Sequence, residues 1–390
     1  MLNFTMSLPT EVCFGKDSID KLAEYINKFN GKRILLAYGG GSIIKNGIYD
    51  KITAILNANG IFYKELSDIK PNPDISSVRD GVKIIREHEL DFILAAGGGS
   101  VIDACKGMAA GAVYDGDPWD FYLRKAKLTG TPLPVGVILT LAATGSETNW
   151  GSIVSNAKTE RKLPFRHELL RPKFAVLDPC FTYSVPAYHT AAGIVDIMAH
   201  VFEQYFSPTD GAFLSDRLSE AVMKTVIHYA PAVMADPENY EARANILWAG
   251  TLALNQILTY GKMTDWATHM IEHEVSAIYD ISHGAGLAIL FPNWMRFALD
   301  EDTQPKFVEY SKNVWGVSAD GKTGFEVAHE GIDRTTEFFK SLNMPLTLTE
   351  AGIDGSRFDE MAEKAVAFGD LGSFRKLGKN DVLEILIMSL

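Results

Sequence analysis

Two stretches in the second half of the chain place metal-ligating side chains at helical spacing. In GIVDIMAHVFEQYF, Asp196 and His200 stand four residues apart, and residues i and i+4 of a helix project from one face. His269 and His273 repeat that spacing and His283 follows, so three of the nine histidines fall within fifteen residues. One carboxylate with imidazoles is a borderline donor set that suits zinc or ferrous iron better than calcium or magnesium. A single Asp/His pair of this kind is ordinarily a surface pair; two such pairs and a further histidine in an HG turn point to a divalent metal. Spacing alone leaves open which two of His269, His273 and His283 are ligands. His88, His167, His189, His228 and His329 have no such company and read as structural or surface residues.

A second chemistry is written in glycine. Two apolar runs end in the same tetrapeptide, Gly39-Gly40-Gly41-Ser42 and Gly97-Gly98-Gly99-Ser100. Glycine allows close backbone approach, so such turns can wrap a phosphate in amide N–H groups. The second run opens a helical pattern, VIDACKGMAAGAVY, whose N-terminus favours an anion. Neither run is G-x-G-x-x-G, so the ordinary dinucleotide fingerprint is absent. A third loop, LTLAATGSETN, offers Thr140, Thr144, Ser146 and Asn149 beside Gly145. Together the three loops predict a nucleotide site at the carboxyl ends of parallel strands.

These residues require elements to hold them. RILLAY (33–38), FILAA (92–96), PVGVILTLAAT and FAVLDP (174–179) read as buried strands. Asp74 is the expected N-cap of an intervening helix with Val78, Val82 and Ile85 on one face. Strands alternating with helices predict a parallel sheet covered on both faces. After Pro186 the pattern is helical throughout. The expected organisation is therefore α/β plus all-α: a nucleotide-binding domain over 1–185 and a helical metal-binding domain over 186–390, with a cleft between them. A metal there would polarise an alcohol or carbonyl oxygen, and a nicotinamide alongside would exchange hydride with the carbon.

Composition narrows the partners. A net charge of −12 argues against nucleic acid and anionic membrane. No run of 18 apolar residues is present. The N-terminus lacks a basic region followed by an apolar core, and three scattered cysteines form neither a disulfide framework nor a thiolate site. These features favour the cytoplasm.

The motifs AAGGGSVID, LAATGSETN, FAVLDP, GIVDIMAHVFEQYF and HMIEHEVSAIYDISHG resemble, in order and over essentially the whole chain, those of the iron-containing (group III) alcohol dehydrogenases. The likeness is greatest to the butanol dehydrogenase and NADPH-dependent aldehyde reductase branch. It implies a Rossmann-like domain, a helical domain, one iron or zinc ion, and reversible interconversion of butanol-like primary alcohols and aldehydes with NADP(H), NAD(H) being the alternative. By position it implies Asp196, His200, His269 and His283 as metal ligands, with His273 lining the reaction site as the catalytic residue. Gly97, Gly98, Gly99 and Ser100 would take the pyrophosphate. Thr140, Thr144 and Asn149 would line the cofactor groove, Lys162 would lie near a ribose, and Asn72, Asp103 and Thr182 would contribute. Ser282 stands where proline is common and Met270 where glycine is. The resemblance further implies a homodimer formed through the segment near Phe4 to Phe14.

The Gly39–Ser42 turn is expected near the adenine ribose, where NAD-preferring proteins often carry an acidic residue. None follows in the chain until Asp50. A carboxylate ~4 Å from a 2′-phosphate would cost on the order of 4 kcal/mol at an effective dielectric near 20. Its absence, with Lys45 nearby, predicts a preference for NADP(H). Trp150, Phe165 and Trp266 are candidates to narrow the substrate pocket. Rival readings are a dehydroquinate synthase-like or glycerol dehydrogenase-like enzyme acting on a phosphorylated substrate or a polyol, and a non-catalytic nucleotide-binding protein. The first requires Lys and Arg around the metal, and the segments flanking the ligands are short of both.

Overall fold

The computed structural model describes residues 1–390. Its strands are β1 (Glu11–Phe14), β2 (Arg33–Tyr38), β3 (Phe62–Leu66), β4 (Phe92–Gly97), β5 (Val135–Leu139), β6 (Gly151–Asn156), β7 (Arg161–Arg166) and β8 (Phe174–Leu177). Six form one sheet in the order β1-β8-β5-β4-β2-β3, every neighbouring pair parallel. The other two, β6 and β7, make an antiparallel ribbon.

Side chains alternate across a strand, and here both faces are apolar. Leu35, Ala37, Ile93, Ala95, Val135, Val137 and Leu139 face one core layer. Ile34, Leu36, Phe92, Leu94, Ala96 and Ile138 face the other. The helix Ile75–Glu87 covers the first layer with Ile75, Val78, Val82 and Ile85, and Asp74 caps it by accepting from the Ser76 amide at 2.9 Å. The helices Leu22–Lys28 and Ile48–Ala58 cover the second through Leu22, Ile26, Ile48, Ile52 and Leu56.

From Ala187 onward every regular element is helical. The helix Ala187–Tyr205 is buried continuously from Thr190 to Tyr205. A helix buried all round is ordinarily apolar throughout, yet this one encloses Asp196, His200 and Glu203. Buried polar groups are costly without partners, so their partners identify what this helix is for. No helix is long and apolar enough to cross a membrane.

The compact units do not follow a single cut of the chain. One comprises Ser7–Pro186 with Pro237–Asn255; the other comprises Met1–Met6, Ala187–Asp236 and Gln256–Leu390. A boundary at 185/186 therefore misassigns the helix Tyr240–Leu254. This helix packs in the α/β unit, where Thr251 Oγ1 donates to Glu147 at 2.6 Å and Trp248 meets Phe14 edge-on at 5.9 Å. Helical periodicity reports an element's type and is silent about the layer it joins.

Candidate active site

In the α/β unit, β2 is followed by β3 on one side, and β4 returns to the other side of β2. The strand order thus reverses between β2 and β4, the position at which open α/β sheets bind ligands. Both glycine turns lie at that point. Gly97 ends β4, Gly98 is the only residue between strand and helix, and the helix Gly99–Gly111 starts at once. Its N-terminal amides form the anion-binding end. A Cβ on Gly99 would lie 2.3 Å from Thr144 Oγ1, and one on Gly98 would lie 3.2 Å from Leu141 Cβ. These glycines therefore admit the close approach of the loop after β5. Thr140 N donates to Gly97 O at 3.1 Å, which ties the same loop to β4.

Asn72, between β3 and the helix Ile75–Glu87, has φ +49°, and Thr182, just after β8, donates to Pro179 O at 2.7 Å. Lys162 is buried on β7 opposite Ser155. Gly41 has φ +89° and caps the short helix Ser42–Lys45. The parallel register of β2 and β3 brings Asp68 to this turn, its amide donating to Gly39 O at 3.4 Å, and Ile69 N donates to Tyr38 O at 3.3 Å.

Asp103 and Asn149 turn inward. Asp103 Oδ1 accepts from Ser146 Oγ at 2.5 Å and Oδ2 from Ile153 N at 3.0 Å. Asn149 Oδ1 accepts from Lys106 Nζ at 3.0 Å and from Gly151 N at 2.9 Å. The fully buried Lys106 also donates to Ser146 Oγ and Gly151 O, each at 2.8 Å. Burial pulls the Lys106 ammonium down to about 8 against the opposing pull of Asp103 and Glu147, and burial pushes Asp103 up against Lys106. This network pins the loop after β5 to the phosphate helix. Asp103, expected as a cofactor contact, also positions the loop through Ser146 and Ile153. Lys106 escaped notice in the sequence; its place three residues after Asp103 on one helix face was the available signal.

The helical unit gathers the other set. Asp196 and His200 come from the helix Ala187–Tyr205, His269 and His273 from the helix Ala267–Tyr279, and His283 from the first position of the helix His283–Ala298. Asp196 Oδ1 lies 3.3 Å from His200 Nδ1, 4.0 Å from His269 Nε2 and 3.7 Å from His283 Nε2. Asp196, His200 and His269 offer donor atoms that all lie within 4.8 Å of one another, and Glu272, His273 and His283 form a second such group beside them. Donors around one tetrahedral ion at ~2.1 Å are roughly 3.4 Å apart, so the first group has the size of a site for one Fe²⁺ or Zn²⁺, with His283 Nε2 facing the same Asp196 oxygen. His273 sits beside His283, its ring 5.6 Å from that of His283, and groups with His283 and Glu272.

Behind the rings stand two carboxylates that sequence reasoning missed. Glu203 Oε1 accepts from His269 Nδ1 at 2.8 Å and from His269 N at 3.0 Å, while Oε2 accepts from Trp266 N at 2.5 Å. It thus also holds Trp266 at φ +68° and starts the His269 helix. Glu272 Oε2 pairs with His283 Nδ1 and Oε1 with Ser276 Oγ. Both glutamates are 0 % exposed. The missed signal was helical spacing: Glu203 is three residues beyond His200 and Glu272 three beyond His269. Nearby, Asp265 accepts from Ser373 N at 2.8 Å and Phe374 N at 2.7 Å, and burial together with Glu203 pushes its carboxyl up to about 6.

Of the candidate pocket aromatics, Trp266 lies beside the histidines, its ring 5.2 Å from that of His269. Phe165 instead stacks on Phe121 at 4.9 Å in the α/β core, and Trp150 lies under the Arg171 guanidinium at 4.5 Å.

Glycine turns at the strand ends and a cluster of Asp196 with histidines suit a metal- and nicotinamide-dependent dehydrogenase, and comparison with known proteins shows that class. The iron-containing alcohol dehydrogenase model matches residues 9–179, and the C-terminal model of the Fe-containing alcohol dehydrogenase family matches 190–390. The chain belongs to this family and is an NAD(P)-dependent alcohol dehydrogenase and aldehyde reductase. It is 50% identical over 387 residues to the NADH-dependent butanol dehydrogenase A of Clostridium acetobutylicum, covering 99% of each chain. It is 37% identical to the NADPH-dependent aldehyde reductase YqhD of Escherichia coli, covering 97% of this chain and 96% of the other. The crystal structure of an NADH-dependent butanol dehydrogenase A from Thermotoga maritima superposes with a TM-score of 0.96 at 35% identity, covering 100% of this chain and 99% of that one. A dehydroquinate synthase-like or glycerol dehydrogenase-like reading is not favoured.

Proposed function

We propose that the physiological substrates are short- to medium-chain primary alcohols and their aldehydes, butanol and butanal included. The observation that carries this reading is the convergence of His200, His269 and His283 on one oxygen of Asp196. The names of relatives 46–50% identical to this chain, all butanol dehydrogenases, support the chain length. A divalent ion at that cluster supplies Lewis-acid polarisation of the substrate oxygen, and the nicotinamide exchanges hydride with the substrate carbon. The protein's own part is to hold the four donors, to exclude water with the apolar helices around them, and to cradle the dinucleotide at Gly39–Ser42, Asn72, Gly97–Ser100, Thr140, Thr144, Lys162 and Thr182. Turnover of metal-reconstituted protein over straight-chain aldehydes tests the reading; a strong preference for phosphorylated or carboxylated substrates overturns it.

His273 lines the substrate side as a proton-handling residue, not a ligand. His273→Ala should keep bound metal at parent stoichiometry while kcat falls about 10²-fold, the scale of general acid–base catalysis. Metal content by mass spectrometry beside steady-state rates checks it, and stoichiometric loss of metal overturns the assignment.

Gly39–Ser42 is also where the nicotinamide is chosen. The turn carries no carboxylate, which supports NADP(H). A second reading, NAD(H), is favoured by Asp68, which stands beside Gly39, and by the NADH-dependent names of the relatives at 46–50% identity. A Cβ on Gly39 would lie 3.3 Å from Ile69 O, close enough to need only a small adjustment. Gly39→Asp should shift the ratio of kcat/KM toward NADH by at least about tenfold, since one charge pair against a 2′-phosphate amounts to several kcal/mol. An unmoved ratio removes the turn from cofactor choice.

The protein is further read as a cytoplasmic homodimer. Phe4, Met6, Leu8 and Phe14 are exposed and β1 is a sheet edge, which supports pairing through this segment. Light scattering on the intact protein tests it.

A further inference from the structure

We propose that Glu203 and Glu272 set the affinity of the Asp196/His200/His269/His283 cluster for its divalent ion. The proposal rests on the reading of those four residues as ligands.

An ionised carboxylate only accepts hydrogen bonds. Glu203 paired with His269 Nδ1, and Glu272 paired with His283 Nδ1, therefore require the ring hydrogen on Nδ1. That leaves the lone pair on Nε2, and in both histidines Nε2 is the atom turned toward Asp196 Oδ1. The same contacts fix ring orientation and raise the donor strength of the imidazole. Each carboxylate is itself anchored, Glu203 by the amides of Trp266 and His269 and Glu272 by the Ser276 hydroxyl.

Packing makes room for Glu272 in particular. A Cβ on Gly286 would lie 2.8 Å from Glu272 Cγ and 2.9 Å from Oε1. The helix that carries His283 thus has its notch, one turn on, where the carboxylate behind His283 sits. With Asp196, the two glutamates place three carboxylates in the buried cluster. A divalent cation offsets that accumulated negative charge, so the outer pair contributes attraction as well as orientation.

Zn²⁺ affinity of the full-length protein, measured by competition with a chromogenic chelator after metal removal, tests the proposal. Glu272→Gln keeps size and shape but loses the charge and the fixed tautomer. It should weaken Zn²⁺ binding by about 10- to 100-fold, the range seen when such outer partners are lost. It should also shrink the rise in Tm on adding Zn²⁺, whereas a purely structural role would lower Tm equally with and without metal. Glu203→Gln should act in the same direction and also weaken the start of the His269 helix. If that variant does not fold, Glu272→Gln and Gly286→Ala, which crowds Glu272 without touching a ligand, carry the test. Zn²⁺ affinity within threefold of the parent in the glutamine variants, with binding abolished in His283→Ala, overturns this proposal alone. Parent affinity in His283→Ala overturns the ligand assignment and this proposal with it.

Discussion

Alanine at His283 or at His269 is expected to strip the protein of its ion and of nearly all turnover. Each supplies one of three imidazole nitrogens that lie within 4.0 Å of Asp196 Oδ1. Losing a donor also leaves the carboxylate behind it, Glu203 or Glu272, without its ring partner in a fully buried place. A lost hydrogen bond to a charged group costs about 1.5–3 kcal/mol, which adds to the loss of the donor itself. Lewis-acid stabilisation is worth several kcal/mol of barrier, and each 1.36 kcal/mol is about tenfold in rate. A fall in kcat on the order of 10³-fold or more is therefore expected, together with near-zero metal by mass spectrometry. Metal retained at parent stoichiometry in either variant would show that His273 is a ligand in its place.

The second large effect is expected from a residue with no chemistry of its own. Gly284 follows His283, and a Cβ there would lie 2.0 Å from Ala192 O, 2.6 Å from Ala192 C and 2.8 Å from Ala192 Cα. All three are backbone atoms of the helix that carries Asp196 four residues later, so no rotamer change relieves the overlap. The His283 helix must move away from the Asp196 helix, and these two elements hold opposite sides of the donor set. Overpacking of this kind costs ~1–3 kcal/mol or more, a fall in Tm of roughly 2–4 °C per kcal/mol for a chain of this size. Gly284→Ala is expected to lose both stability and Zn²⁺ affinity, read by scanning calorimetry and chelator competition. Gly355→Ala, where the nearest atom to the new methyl lies 3.5 Å away, should leave both unchanged. Parent Zn²⁺ affinity in Gly284→Ala would mean the cluster tolerates separation of the two helices.

Gly284 also marks where reading a sequence stops. The glycine in the HG turn is visible as a letter, but the carbonyl it must clear belongs to Ala192, more than ninety residues earlier. What the sequence determined by itself was local. Runs such as ILLAY (34–38) and FAVL (174–177) are apolar at every position, and a strand buried on both faces needs that. The four-residue steps from Asp196 to His200 and from His269 to His273 state which side chains share a helix face. The strands that escaped were those without such a pattern: β1, EVCF, and β3, FYKEL, are sheet-edge strands with partly exposed side chains, and β6 and β7 form a ribbon of mixed composition. Tertiary structure decided everything that depends on which elements become neighbours. His269 and His273 both project from one helix, and only the packing of the neighbouring helices brings His269 beside Asp196 and His273 beside His283. Asp68 is remote from Gly39 in the chain yet adjacent to it, because parallel strands bring their carboxyl ends to one edge. Glu203 and Glu272 read as ordinary helix-surface acids until packing removes their solvent. A buried carboxylate must find a donor, and the donors it found were the histidines whose other nitrogens face Asp196.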